Sequence, residues 1–478
     1  MKRTNTFSIM AALLLAGVST IVSCTKDDEQ PVEGKTYHMT VTASKGGDNA
    51  KALTDEGTTI SATWAQGETV TVYNVTKGAA LTGTLSAQSS GDNTTLKGDL
   101  TGTIEAGDEL TLKFCSPDYS MQQGTLAYIA SHCDYAEATV TVASVAGGEI
   151  TANGNAAFVN QQAIVKFSLM DAGGTAINAS ALSVSVGDTI YAAVPASATN
   201  ELYVALPGIS GKAVTLSAKV GGQWYNKTQA GVTFVNGQYY KVAAKLAPKG
   251  MLPGTFSVSV SKKVHFSQGN LKYNSGTWSF HTNQYDYYGV TGQNMSTDSM
   301  DLFFWAGSGK DYGATDSYDA TGDAADDVVN WGNVTISGTT GTWQTLTGGD
   351  DESAEWYYLF NSRSSASSKY GLATVCGKHG TVVLPDNWTL PTGCNFTSGM
   401  NYDASAWALM EAAGAVFLPA AGYRGGSKVS YAGDRGYYWS SSANGDGYPL
   451  FVFFNGNHLY AGEYVLRSYG ESVRLVCE

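Results

Sequence analysis

The residues best equipped for chemistry are scattered. Six histidines stand at His38, His132, His265, His281, His379 and His458. No His-x-x-x-His or Cys-x-x-Cys spacing occurs, so a zinc site has no support. There is no Gly-x-Ser-x-Gly elbow and no phosphate-cradling loop. Acids gather at Asp311, Asp316, Asp319, Asp323, Asp326 and Asp327. Oxygen-rich loops can hold Ca²⁺, but this spacing fits no EF-hand, and a solvated loop is the better reading. The expectation is therefore no catalytic residue, no metal and no cofactor. Cys24, Cys115, Cys133, Cys376, Cys394 and Cys477 are the thiols. With Cys24 set aside five remain, an odd number; Cys115–Cys133 and Cys394–Cys477 are conceivable bridges that sequence does not decide.

Recognition chemistry is better represented. From Tyr423 to Tyr464 the chain is dense in Tyr, Asn, Gly, Ser and Asp. Tyrosine offers a rigid amphipathic face at low entropic cost, and Asn, Ser and Gly add adaptable hydrogen bonds. Tyr431, Asp434, Arg435, Asn444, Asp446, Tyr448, Asn455, Asn457, His458 and Tyr460 are the candidate ligand-binding residues. Phe417, Leu418, Trp439, Val473 and Leu475 are expected in the core beneath them. The alternative is a set of glycine-rich turns with half-buried tyrosines.

The elements that must carry these residues are mostly strands. Val70 and Val72 alternate with threonines, as do Leu110, Leu112 and Phe114; Val165, Phe167 and Leu169 follow, then Val214, Leu216, Ala218 and Val220. Period-two alternation buries one face and wets the other. Clusters such as Ser90-Gly91-Asp92-Asn93 separate the runs, a layout that predicts β-sandwiches. Phe256 to Val260 predicts a further strand. One helix is expected from Ala404 to Ala413, with Asp403 as N-cap and Gly414 as stop. Two prolines and two glycines over 247–254 predict a linker. With 478 residues there is room for two to four domains, and a formal charge of −13 argues against nucleic acid. Lys2 and Arg3 precede an apolar run, Ile9 to Val22, too short for a comfortable membrane span and ending Ile21-Val22-Ser23-Cys24.

That ending resembles the lipobox of bacterial lipoproteins. The resemblance implies cleavage before Cys24 and acylation of its sulfur, with multiple acyl chains holding the protein to the outer membrane. Thr25-Lys26-Asp27-Asp28-Glu29 resembles the surface-export signal of Bacteroidota lipoproteins. Trp64-Ala65-Gln66-Gly67-Glu68-Thr69-Val70-Thr71-Val72-Tyr73, Phe158-Val159-Asn160 leading into Ala163-Ile164-Val165-Lys166-Phe167, and Phe234 to Val242 resemble the fimbrillins, pilus proteins of Bacteroidota. This implies two tandem transthyretin-like β-sandwiches, 35–160 and 161–247, the last stretch being the closing strand. In polymerising fimbrillins an arginine-directed protease removes the first strand, and a neighbouring subunit's strand fills the groove. Lys51, in Asn49-Ala50-Lys51-Ala52-Leu53, stands where those members carry arginine.

Beyond the linker, 248–254, lie Asp301-Leu302-Phe303-Phe304-Trp305, Leu384-Pro385-Asp386-Asn387-Trp388-Thr389-Leu390-Pro391, Phe417-Leu418-Pro419-Ala420-Ala421-Gly422-Tyr423-Arg424, Gly436-Tyr437-Tyr438-Trp439-Ser440-Ser441-Ser442 and Ser472-Val473-Arg474-Leu475-Val476. These resemble the paralogous-domain lipoproteins first named from Fibrobacter succinogenes. For 255–478 this implies a C-type-lectin-like α+β domain, in which a terminal strand pair and a helix carry a long irregular region. Cys394 and Cys477 do not match the paired-cysteine copper site of the formylglycine-generating enzymes that share this architecture, so no enzyme is expected. The fold expected is thus mainly β: a signal peptide (1–23), a tether (24–34), two sandwiches and a lectin-like head. The function expected is a surface adhesin or fimbrial tip-type protein. Its partners would be a host or bacterial surface glycan or protein. The alternatives are an anchor or accessory subunit contacting other pilus subunits, or a glycan-capture lipoprotein.

Overall fold

The computed structural model describes residues 34–45, 54–55, 57, 60–61, 63–115, 117–315 and 328–478. The expected signal peptide with Cys24, the expected tether up to residue 33, the Asn49–Leu53 stretch and Asp316 to Asp327 lie outside the described residues. The fold is mainly β.

The first unit follows the alternation read from sequence. Val70 and Val72 on Thr69–Asn74, and Leu110, Leu112 and Phe114 on Glu109–Phe114, point inward while the intervening threonines and lysines stay wetter. The pairings then close on themselves. Lys35–Lys45 runs antiparallel to Asn93–Gly102 through ten matched positions, from Lys35↔Gly102 to Ser44↔Asn93. From there the pairing passes to Leu85–Ala87, Thr69–Asn74, Glu109–Phe114 and Ala136–Ala146. It returns to Lys35–Lys45 through the parallel partners Glu149–Asn153 and Ala156–Asn160. The expected sandwich is therefore a single circuit of strands around one core, with the first strand paired on both sides. Trp64 sits in that core, edge-on to Phe114 and Phe158 at 5.6 and 5.2 Å. Glu68, four residues on, meets the buried Lys45 ammonium at 3.2 Å, and Lys45 in turn lies 4.3 Å over the Trp64 ring. The Trp-x-x-Gly-Glu run thus anchors the first strand.

In the second unit two sheets share a core of Phe167, Leu182, Val184, Val204 and Leu216. One sheet orders Glu201–Leu206, Ala163–Met170 and Tyr239–Lys245. The other runs Ala247–Pro248, Gln223–Phe234, Ile209–Val220, Ala181–Val186, Thr189–Ala193 and Met121–Gln122. Two expectations change here. The closing stretch Phe234–Val242 is not one continuous strand: it joins the end of Gln223–Phe234 to the start of Tyr239–Lys245 through a turn, where Asn236 accepts the Gly208 N–H and Gly237 takes φ +75°. The excursion from 117 to 135, between two strands of the first unit, packs on the second. Met121 pairs with Ala192; Ile129, on a helix that sequence reading missed (Leu126–His132), and Cys133, which caps it, bury against Ile164 and Ala205. A cut at residue 160 would sever these contacts.

In the third unit, His265 and Phe266 pair with Cys477 and Val476, joining its two ends. Helix Ala404–Ala412 has Asp403 accepting the Ala406 N–H at 2.8 Å and stops at Gly414, whose φ is +100°. The strand expected over Phe256–Val260 ends at Ser257. Ser259 Oγ accepts two N–H groups, from Ser261 and Lys262, which turns the chain and leaves Val260 exposed.

The segment 248–254 is a correction to the linker reading. Leu252 is fully buried, Asn226 donates to the Met251 carbonyl at 3.0 Å, and the Gly250 N–H donates to the Trp224 carbonyl. Its prolines and glycines serve a tight crossing between packed units. One apolar cluster holds Met121, Ala181, Ala192 and Trp224 from the second unit together with Phe256, Phe266, Val416 and Tyr438 from the third. Ser183 Oγ donates to the buried Ala412 carbonyl at 2.6 Å, and Lys219 Nζ meets Glu411 at 2.6 Å.

Candidate ligand-binding site

The candidate residues lie on and around a three-stranded antiparallel meander: Gly436–Ala443, Pro449–Phe454 and Leu459–Tyr464. One face is buried through Tyr438, Val452, Phe454 and Ala461. Trp439, Val473 and Leu475 are buried in an adjoining cluster, and Phe417 and Leu418 are fully buried too, as their sequence context predicted.

The other face builds an aromatic array at the surface. Tyr423 stands 5.2 Å from both Tyr437 and Tyr469 and 6.0 Å from Tyr431. Tyr437 stands 5.2 Å from Phe453, which stacks on Tyr460 at 6.3 Å, and Tyr460 stacks on His458 at 5.8 Å. Cross-strand pairing makes this possible, since Tyr437 lies opposite Phe453 and Phe453 opposite Tyr460. Tyr431 and Tyr460 are 41% and 47% exposed, so their rings present apolar area to solvent from a rigid base. The Arg435 guanidinium lies 3.9 Å over the Tyr431 ring, and its Nε donates to Asp434 at 3.3 Å. The Tyr437 hydroxyl, hydrogen-bonded to Arg435, stabilises that cation further and pushes its pKa up. Tyr431 itself takes the left-handed φ of +57°, and its carbonyl accepts the N–H groups of both Asp434 and Arg435.

The remaining candidates divide. Asn444 Oδ1 accepts the N–H groups of Asp446 and Tyr448, and Asn455 Oδ1 accepts those of Asn457 and His458. Both oxygens therefore shape turns. Tyr448 lies apart from the array, 5.9 Å from Tyr464. Asp446 and Asn457 are exposed at the two turn tips.

Beside the array lies a groove of about 410 Å³ that brings Asp434 and Asn455 opposite Thr374, His379 and Ser398. Sequence reasoning missed this second wall, because Tyr370–Val375 and Lys378–Val383 are distant in the chain and lack the tyrosine-rich signature. Ala420, buried on the floor, ties both walls. Its N–H donates to the His379 carbonyl, and its carbonyl accepts the Gly433 N–H at 2.7 Å. The Gly399 N–H donates to the Leu372 carbonyl at 2.8 Å.

The other reactive side chains are quiet. Burial pushes the Cys133 and Cys477 thiols up to about 12 and raises Cys394, so they stay protonated and weakly nucleophilic at neutral pH. No disulfide joins Cys133, Cys376, Cys394 or Cys477 to another described cysteine, and Cys394 and Cys477 belong to different core clusters. His281 is buried against Asp301 at 2.9 Å. Burial lowers the His265 pKa, partly offset by the Gly254 and Leu252 carbonyls. Among the described residues no group of three His, Cys, Asp or Glu is disposed to hold a metal. No described helix is long and apolar enough to cross a membrane.

No protein-family profile matches this sequence, and no curated protein is similar to it. Solved structures with partial likeness include a putative cell adhesion protein from Bacteroides uniformis, 11% identical, with a TM-score of 0.27, covering 45% of this chain and 94% of that one. A truncated tip fimbrial protein from Porphyromonas gingivalis is 10% identical, with a TM-score of 0.23, over 41% of this chain and 81% of its own. A fimbrial protein from Bacteroides ovatus is 11% identical, with a TM-score of 0.22, over 94% and 99%. At these values the likeness carries no argument about function.

Proposed function

We propose that this protein is a lipid-anchored surface adhesin or fimbrial tip-type protein of the outer membrane, attached through Cys24, whose C-terminal unit binds a ligand on a target surface. The observation that carries this reading is the array of half-exposed rings from Tyr431 to Tyr460, backed by a buried sheet and flanked by Arg435. A surface of rigid aromatics beside adaptable polar turns is what recognition requires. The strand pair joining the two ends of the third unit, and the helix Ala404–Ala412, support the C-type-lectin-like assignment.

A second reading rests on a different observation. Among the described residues Tyr239–Lys245 is an edge strand, and beside it opens an apolar groove of about 510 Å³ lined by Phe167, Leu216, Val232, Phe234 and Val242. Such an edge above an apolar groove suits strand addition from another pilus subunit. The test uses the full chain, fluorescently labelled, on host epithelial cells and on whole bacteria. The adhesin reading predicts binding that Tyr431→Ala with Tyr460→Ala weakens at unchanged melting temperature. Binding unaffected by the double variant would refute it, and co-purification with pilus subunits through Tyr239–Lys245 would favour the second reading.

A further inference from the structure

The geometry points to a neutral saccharide, one or two sugar rings long, as the ligand of the groove beside the aromatic array; this rests on the adhesin reading and specifies its ligand. The groove's volume, about 410 Å³, falls within the range of small-molecule sites. Its lining has the mixed character a sugar ring needs. Ala420 and Phe454, both buried, give an apolar floor for ring C–H groups. Around it stand Thr374, His379, Ser398, Asp434 and Asn455, whose hydroxyl, imidazole, carboxylate and amide groups both donate and accept. Vicinal hydroxyls also donate and accept, so such a rim satisfies them pairwise.

Three details sharpen the assignment. Asn455 Oδ1 is engaged in its own turn, while its amide nitrogen makes no hydrogen bond among the described residues and is available as a donor. Thr374 Oγ1 lies 3.0 Å from His379 Nδ1, which orients the ring and leaves Nε2 to a ligand. Gly456 lines the same groove, and a Cβ built there would meet open space, so a ligand can approach the backbone closely at that turn. The walls are tied to each other through Ala420, so little ordering entropy is lost on binding.

Charge disfavours the anionic alternatives. Asp434 is the acidic side chain of the lining, its charge offset by Arg435 at 3.3 Å, and no cationic side chain among the described residues lines the groove. The chain as a whole carries −13, so a sialylated, sulfated or phosphorylated ligand would meet long-range repulsion with no lining cation to offset it. An extended peptide would find no strand edge among those lining the groove, because Tyr370–Val375, Lys378–Val383 and Pro449–Phe454 are each paired on both sides. The tyrosines of the array would then stack further sugar units leaving the groove.

The experiment screens the full detergent-solubilised chain on an array of neutral and acidic oligosaccharides, with calorimetry on the strongest neutral hit. Two variants report on the groove. Asp434→Ala removes an exposed carboxylate. Gly456→Leu adds bulk where a Cβ meets no atom within 4 Å and φ is not positive, so it fills the groove without disturbing the fold. Each is expected to weaken binding of the neutral saccharide about tenfold or more, with melting temperature unchanged. Preference for acidic oligosaccharides, no saccharide binding, or binding indifferent to both variants would overturn the inference. Cell binding that survives periodate oxidation of the target and still needs Tyr431 and Tyr460 would overturn the saccharide while leaving the adhesin reading intact. Binding lost after periodate oxidation supports the saccharide, whereas no binding to untreated targets would remove both readings.

Discussion

Replacing Lys219 with methionine should destabilise the second and third units together. Glu411 lies on the helix Ala404–Ala412 with its side chain 2% exposed, held by Lys219 Nζ at 2.6 Å and by Gln284 Nε2 at 3.0 Å. Lys219→Met keeps the aliphatic stem but strips the carboxylate of its counter-charge. Breaking a fully buried ion pair costs about 3–5 kcal/mol. Gln284 remains, and the Lys219 side chain is 18% exposed, so about 2–3 kcal/mol is expected here. The surface pair Lys113–Glu137, with side chains 40% and 31% exposed, supplies the control, and Lys113→Met should cost at most about 1 kcal/mol. Calorimetry on the full chain reads the effect. Because Trp224 and Phe256 share one apolar cluster, the transition that shifts should include both units as one peak. Separate peaks for the two units, or equal shifts for the two variants, would refute the idea of a joint held by Glu411.

Trp64→Ala should cost about 3–5 kcal/mol and lower the melting of the first unit while leaving ligand binding by the third intact, as read by calorimetry and cell binding. Asp55 predicts an acid effect. Burial would raise its pKa, but the Gly57 N–H, the Tyr239 and Tyr203 hydroxyls and Lys241 together lower it to about 2. A carboxylate depressed in the folded state stabilises above its unfolded pKa, about 3.9, and that contribution is lost as pH falls toward about 2. Asp55→Asn should therefore flatten the stability change between those pH values, measured by urea titration; an unchanged pH profile would contradict the assignment. Tyr431→Gly should relieve the left-handed φ, stabilising by about 1 kcal/mol or less, yet weaken cell binding by removing the ring over Arg435.

The local rules were legible in the sequence. Valines and leucines at alternate positions face inward in Thr69–Asn74 and Glu109–Phe114, and Asp403 and Gly414 bound the helix they were expected to bound. Non-local features were not. The circuit closure of the first unit depends on Lys35–Lys45 pairing with strands 49 or more residues away, which periodicity does not encode. The prolines and glycines of 248–254 read as a linker because composition does not report the burial of Leu252. The helix Leu126–His132 is short, and tertiary contact with Ile164 and Ala205 decides it. At the site the tyrosines were visible by type, but composition did not show that the Asn444 and Asn455 side-chain oxygens hold turns. The wall carrying Thr374 and His379 gave no signal, since it meets Asp434 through packing alone.

Hydrogen–deuterium exchange of the full chain, with and without the target cell surface, tests the binding face most directly. The account predicts slowed exchange at 430–436 and 453–460, with Tyr239–Lys245 unchanged. Protection confined to Tyr239–Lys245, or none in the third unit, would contradict it.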